Sequence, residues 1–93
     1  MAIVRVQTAK NVGASSVSVT WGVATTTGNH LVAAVSYSDS GDPGMPSGWT
    51  LAKRVSNGVV SSAICYKENA ASQSSTGNFT TTGFGITVVV AEY

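Results

Sequence analysis

The chain carries little charge: 10% of its 93 residues are Asp, Glu, Lys or Arg, and five basic against four acidic side chains leave a formal net charge of +1. Arg5, Lys10, Lys53, Arg54 and Lys67 are scattered, and Lys53-Arg54 is the only adjacent basic pair. A nucleic-acid backbone needs a basic stripe to neutralise its phosphates, so nucleic acid is not an expected partner. The single cysteine, Cys65, cannot close an internal disulfide, and no Cys/His cluster has zinc-ligand spacing. Stability has to come from a packed core. Apolar runs such as Val88-Val89-Val90-Ala91 are far too short to span a bilayer, so no membrane partner is expected. Met1-Ala2-Ile3-Val4-Arg5 lacks the apolar stretch of a signal peptide, as a piece excised from a longer secreted protein also would.

Acid–base and nucleophilic machinery is equally scarce. His30 is the sole histidine and follows Gly28-Asn29 at the entrance to a strand. No serine sits in a Gly-x-Ser-x-Gly elbow. Asp39 and Asp42 share one loop while Glu68 and Glu92 end strands, an arrangement unsuited to flanking a glycosidic bond from both sides. The chain is therefore read as a non-enzyme. No cofactor is required, although Asp39-Ser40-Gly41-Asp42 can offer oxygens to calcium. Because the segment lacks the full calcium-loop pattern, a turn closed by Asx hydrogen bonds is the favoured reading.

What the chain has in quantity is β-branched residues in short runs, set among Ser, Thr, Gly and Ala, with 43% of residues hydrophobic. The length allows one core, so residues 1–93 form a single domain. Strands are expected at Ile3–Thr8, Ser16–Trp21, His30–Ser38, Thr50–Val55, Val59–Lys67, Gly77–Thr82 and Gly85–Tyr93. In Val17-Ser18-Val19-Thr20-Trp21 the alternation puts Val17, Val19 and Trp21 on one face. Asn57-Gly58 predicts a two-residue type I′ hairpin between the fourth and fifth strands. Cys65, between Ile64 and Tyr66, reads as a small apolar residue facing a sheet layer. Seven short strands at this spacing predict an all-β fold, a two-sheet antiparallel β-sandwich of jelly-roll or immunoglobulin-like type.

A surface of hydroxyls and amides suits a neutral ligand such as a sugar polymer, and it suits an inert structural coat equally well. A sugar ring offers a face of C–H bonds to a flat aromatic ring, with polar neighbours to bond its hydroxyls. Trp21 ends its strand before Gly22, Trp49 follows Pro46-Ser47-Gly48 at a strand entrance, and Tyr37 precedes the polar loop that begins at Ser38. These three are the candidate stacking surfaces, with Asn29, His30, Asp39, Asp42 and Arg54 as hydrogen-bonding neighbours. The competing assignment is core: Trp21 is in phase with Val17 and Val19, Trp49 with Leu51 and Val55, and a domain this small needs large side chains inside.

Ser16-Val17-Ser18-Val19-Thr20-Trp21, the segment from Thr27 to Ser36, Pro46-Ser47-Gly48-Trp49-Thr50-Leu51-Ala52 and Val88-Val89-Val90-Ala91-Glu92-Tyr93 together resemble a β-sandwich domain of bacterial extracellular proteins and phage virion proteins. In size and aromatic content the chain is also similar to small carbohydrate-binding modules of plant-cell-wall-degrading enzymes. That resemblance implies an extracellular, non-catalytic module of a longer secreted protein. It would bind cellulose-type β-glucans or xyloglucan and hold an attached glycoside hydrolase domain near its polysaccharide. The alternative it implies is a structural virion protein, a capsid decoration or tail-fibre domain, acting through protein–protein contacts. The two differ in surface: a glycan module shows a groove or platform of aromatic rings, an assembly component an apolar patch or an open strand edge.

Overall fold

Alternation along the strands decides which side of each one is buried. Leu31, Ala33, Val35 and Tyr37 are buried while the residues between them are exposed or half-buried, and Ile86, Val88 and Val90 repeat the pattern. The computed structural model, which describes residues 4–39, 41–68 and 70–93, folds these segments into two antiparallel sheets. Its strands are β1 (Gln7–Gly13), β2 (Ser16–Thr20), β3 (Leu31–Tyr37), β4 (Thr50–Ser56), β5 (Ser61–Lys67), β6 (Ser75–Thr80) and β7 (Ile86–Glu92). One sheet has five strands in the order β1-β7-β3-β5-β4, and the other pairs β2 with β6. The expected all-β, seven-strand, two-sheet sandwich architecture is what forms, divided unequally as five strands against two.

The core lies between the sheets. Val17 and Val19 of β2, Phe79 of β6 and the adjoining Trp21 meet the inward residues of β3, β5 and β7. Trp49 packs edge-on against Phe79, with ring centroids 5.3 Å apart at 71°, a favoured aromatic geometry. Cys65 is fully buried, as its place in the alternation predicts.

Two local expectations are corrected. The first strand runs over Gln7–Gly13 rather than Ile3–Thr8, whose Ile3 lies outside the described residues. Pairing with β7 in unbroken register, from Gln7 opposite Glu92 to Gly13 opposite Ile86, carries the strand through a segment that looks like a break. Asn11 fits there because its amide donates to the Ser18 carbonyl at 3.0 Å and its side-chain oxygen accepts from Val12 N–H at 2.9 Å. The β4–β5 hairpin is antiparallel as expected, but its loop has four residues, since Ser56 is already paired with Ser61. Asn57 closes this loop with its side chain, accepting from Val59 and Val60 N–H at 2.9 and 3.0 Å, and Gly58 takes the positive φ of 94°. The wider loop is thus an Asx-capped turn instead of a type I′ turn.

At one end of the sandwich an acidic side chain points inward. Glu92, in phase with Val88 and Val90, is buried. Its Oε1 accepts from the Gln7 amide at 2.8 Å, and its Oε2 accepts from Thr26 N–H at 2.7 Å and from the Asn29 amide at 2.8 Å. One carboxylate thereby joins β1, β7 and the β2–β3 connection. Desolvation pushes its pKa up, but the three donated hydrogen bonds outweigh it and hold the carboxyl below the ordinary value of 4.5. A depressed folded-state pKa gives stability that is complete above the unfolded value and is lost as pH falls through the folded one. Urea unfolding of the parent should therefore show stability declining below about pH 4.5. Glu92→Gln, which gives up the charge and turns a donor toward donors, should cost about 2 kcal/mol at neutral pH and flatten that acid-side decline. An unchanged acid slope in the variant would assign the decline to other carboxylates.

Candidate functional site

The eight residues expected to bind a ligand do not converge. Trp21, Trp49 and Tyr37 are 4%, 7% and 3% exposed, so none turns a ring face to solvent, and the expected stacking platform is corrected to core. The physical reason is magnitude. Burying an indole removes about 200 Å² from water, worth roughly 5 kcal/mol at about 25 cal/mol per Å². The counterweight is the indole N–H. Neither Trp21 Nε1 nor Trp49 Nε1 has a hydrogen-bond partner among the described residues, at a cost of about 1–3 kcal/mol each, so burial wins. Tyr37 resolves the same conflict by donating its hydroxyl to the Gly41 carbonyl at 2.7 Å.

The polar candidates separate to opposite ends of β3. Beyond its C-terminal end, Asp39 accepts from Gly41 N–H at 3.2 Å and from the Thr82 hydroxyl at 2.6 Å, while Arg54 and Asp42 form an ion pair at 3.3 Å. This end brings Tyr37, Asp39, Asp42 and Arg54 together as braces on one loop. Asp39 thus holds Gly41 and Thr82 while Asp42 holds Arg54, and no group of three or more potential metal ligands occurs among the described residues. The Asx-turn reading of this loop is the one its hydrogen bonds display. At the N-terminal end of β3, Asn29 serves Glu92, and His30 is an exposed side chain whose backbone exchanges two 2.9 Å hydrogen bonds with Tyr93. Across the seven residues of β3 these groups are roughly 20 Å apart.

The surface that the structure does assemble is the outer face of the five-stranded sheet, opposite the β2–β6 pair. Register places its residues in rows across the strands. The first row reads Thr8, Ala91, Val32, Tyr66, Thr50; the second reads Lys10, Val89, Ala34, Ile64, Lys53; the third reads Val12, Thr87, Ser36, Ser62, Val55. Val89 and Ile64, neighbours of Ala34 in the second row, are each 43% exposed, and Val12 and Val55 are more exposed still. Ala91, Val32 and Tyr66 extend the apolar area into the first row and are half-buried by their neighbours. The missed signal was in the sequence: the second phase of β3, β5 and β7 is itself rich in Val, Ala and Ile, where a solvated face would carry polar residues.

This face offers apolar contact framed by hydroxyls, with an ammonium at each end of the middle row. Cys65 sits beneath it on the core side, its thiol pKa raised by desolvation. Comparisons with protein-family models, with curated proteins and with solved structures each find no match.

Burial of both indoles and of the thiol has direct readouts. Tryptophan emission of the folded protein should be blue-shifted and nearly insensitive to iodide, becoming quenchable in urea. Cys65 should react with a thiol reagent at the rate of unfolding; rapid labelling of the folded chain, or efficient quenching, would put these side chains at the surface.

Proposed function

We propose that this domain is a non-catalytic structural module of a virion, a capsid decoration or tail-fibre domain, and that it packs against a neighbouring protein through the outer face of its five-stranded sheet. The observation that carries this reading is the contiguous patch of Ala34, Ile64, Val89, Val32 and Ala91 on an uncovered sheet face, while the large aromatic candidates are spent on the core. An exposed apolar patch bordered by polar residues marks a protein contact surface more often than it marks a site of chemistry. The hydroxyl-rich remainder fits a coat component that meets the extracellular medium on its other sides.

A second reading has one specific observation in its favour. Tyr66 lies on the same outer face, flanked in its row by Val32 and Thr50, and a half-buried ring among hydroxyls can stack on a sugar. Under that reading the domain binds β-glucan or xyloglucan and holds an attached glycoside hydrolase on polysaccharide. A single ring contributes about 1–3 kcal/mol by analogy with base stacking, short of the roughly 8 kcal/mol of micromolar binding, so this reading stands second.

Two measurements separate the readings. A photo-crosslinking amino acid at Ala34 in the full-length protein, expressed in its native host, should join it to a second polypeptide, whereas the same group at exposed Ala71 should not. Affinity electrophoresis in β-glucan and xyloglucan gels should leave the parent unretarded. Retardation that Tyr66→Ala removes, with no protein crosslink at Ala34, would overturn the assembly reading in favour of the glycan one.

A further inference from the structure

The two lysines that frame the outer face bear on what can cover it. Lys10 and Lys53 stand at opposite ends of the middle row, on edge strands β1 and β4, with Val89, Ala34 and Ile64 between them. Among the fifteen outward positions of the three rows there is no carboxylate. Neither ammonium has a salt-bridge partner among the described residues. Four inter-strand spacings of about 4.8 Å put the two lysine positions roughly 19 Å apart.

A second copy of the chain fits this face badly. Aligned sheet-on-sheet pairing of identical faces has two arrangements, with the twofold axis along the strands or across them. The first lays Lys10 over Lys53 of the copy, and the second lays each lysine over itself. Both superpose ammonium on ammonium, and like charges face to face act against pairing. Area cannot compensate. Five strands by three rows cover about 24 Å by 20 Å, so a face-to-face contact buries roughly 960 Å² in total, below the roughly 1,200–2,000 Å² of standard stable interfaces.

On the assembly reading above, we infer that the partner is a different protein surface, an apolar strip bracketed by two carboxylate groups about 19 Å apart. The apolar centre supplies contact area, and the paired charges select partner and register while keeping copies of this chain from stacking on one another.

The probe is the domain itself with its frame reversed, Lys10→Glu together with Lys53→Glu, which presents the same apolar strip between carboxylates at the matching distance. By sedimentation equilibrium, the parent alone and the double variant alone should be monomers. Their equimolar mixture should form a one-to-one dimer with a dissociation constant on the order of 0.1 mM, the weak affinity such a small contact permits. Ile64→Lys in the parent should abolish it, and salt at about 1 M, where the Debye length is about 3 Å, should weaken it about tenfold. Circular dichroism and urea unfolding check that each variant is folded. If the double variant does not fold, Lys10→Glu alone serves, because the twofold along the strands sets its new carboxylate over Lys53 of the copy and it should self-associate where the parent does not. A mixture that stays monomeric with both partners folded overturns the inference, and so does a parent that dimerises on its own as strongly as the mixture. Neither result touches the assembly reading, which the Ala34 crosslink decides separately.

Discussion

A carboxylate buried against neutral donors is the constraint around which one end of this domain is organised. Glu92 occupies a position where the alternation of β7 asks for an apolar residue, and its charge is sustained by the Gln7 amide, the Thr26 N–H and the Asn29 amide. Those donors come from an edge strand and from the connection that crosses between the sheets. A hydrocarbon at this site would take the shared acceptor from three part-buried donors, of which the Gln7 amide keeps its 2.7 Å bond to the Val23 carbonyl. The carboxylate therefore fixes where β1 begins pairing and where the β2–β3 connection turns, two features that no local propensity specifies. At the far end of β3 the corresponding work is spread over Tyr37, Asp39, Asp42 and Arg54, which brace a loop by hydrogen bonds and a partly exposed ion pair. Such a pair contributes at most about 1 kcal/mol, so the two ends are held by different means.

The unequal division of strands explains where the aromatic residues went. Two strands cannot cover five, and Trp21, following β2, and Trp49, preceding β4, join the core between the sheets, where Trp49 packs edge-on against Phe79. In a domain of 93 residues the area these indoles remove from water is a large part of what holds the sheets together. Burial of both Nε1 groups without a partner among the described residues shows that area outweighed hydrogen bonding. The same economy leaves an apolar patch exposed on the outer face of the large sheet, with the edge lysines Lys10 and Lys53 at its margins. Lysine on an edge strand also discourages strand-to-strand aggregation, so these residues serve the monomer as well as the proposed contact.

Much of the fold was legible because strand alternation is a local pattern. Val17 and Val19, and Leu31, Ala33 and Val35, share a face by spacing alone, and each is buried, whereas the continuous apolar run from Val88 to Ala91 carries no phase of its own. The turn chemistry of Asn57-Gly58 gave the hairpin but not its loop length, because the Asn57 side chain captures Val59 and Val60 N–H. Edge strand β1 is poorly marked in the sequence because its residues carry almost no burial signal and its span comes from pairing with β7. The candidate site was read less well. Trp21, Trp49 and Tyr37 sit at strand ends, where a period-two pattern states the phase yet leaves open whether the opposing layer reaches that far.

The sequence by itself determined an all-β chain with one core, no disulfide, little charge and few groups suited to acid–base catalysis, since these follow from composition and from patterns only a few residues long. Tertiary structure decided which aromatic rings meet water, that the carboxyl of Glu92 is an interior anchor, and that Lys10 and Lys53, far apart in the chain, frame one apolar face. Those outcomes depend on strand order and on how far the two-stranded sheet extends over the five-stranded one, which are set by contacts between residues remote in sequence.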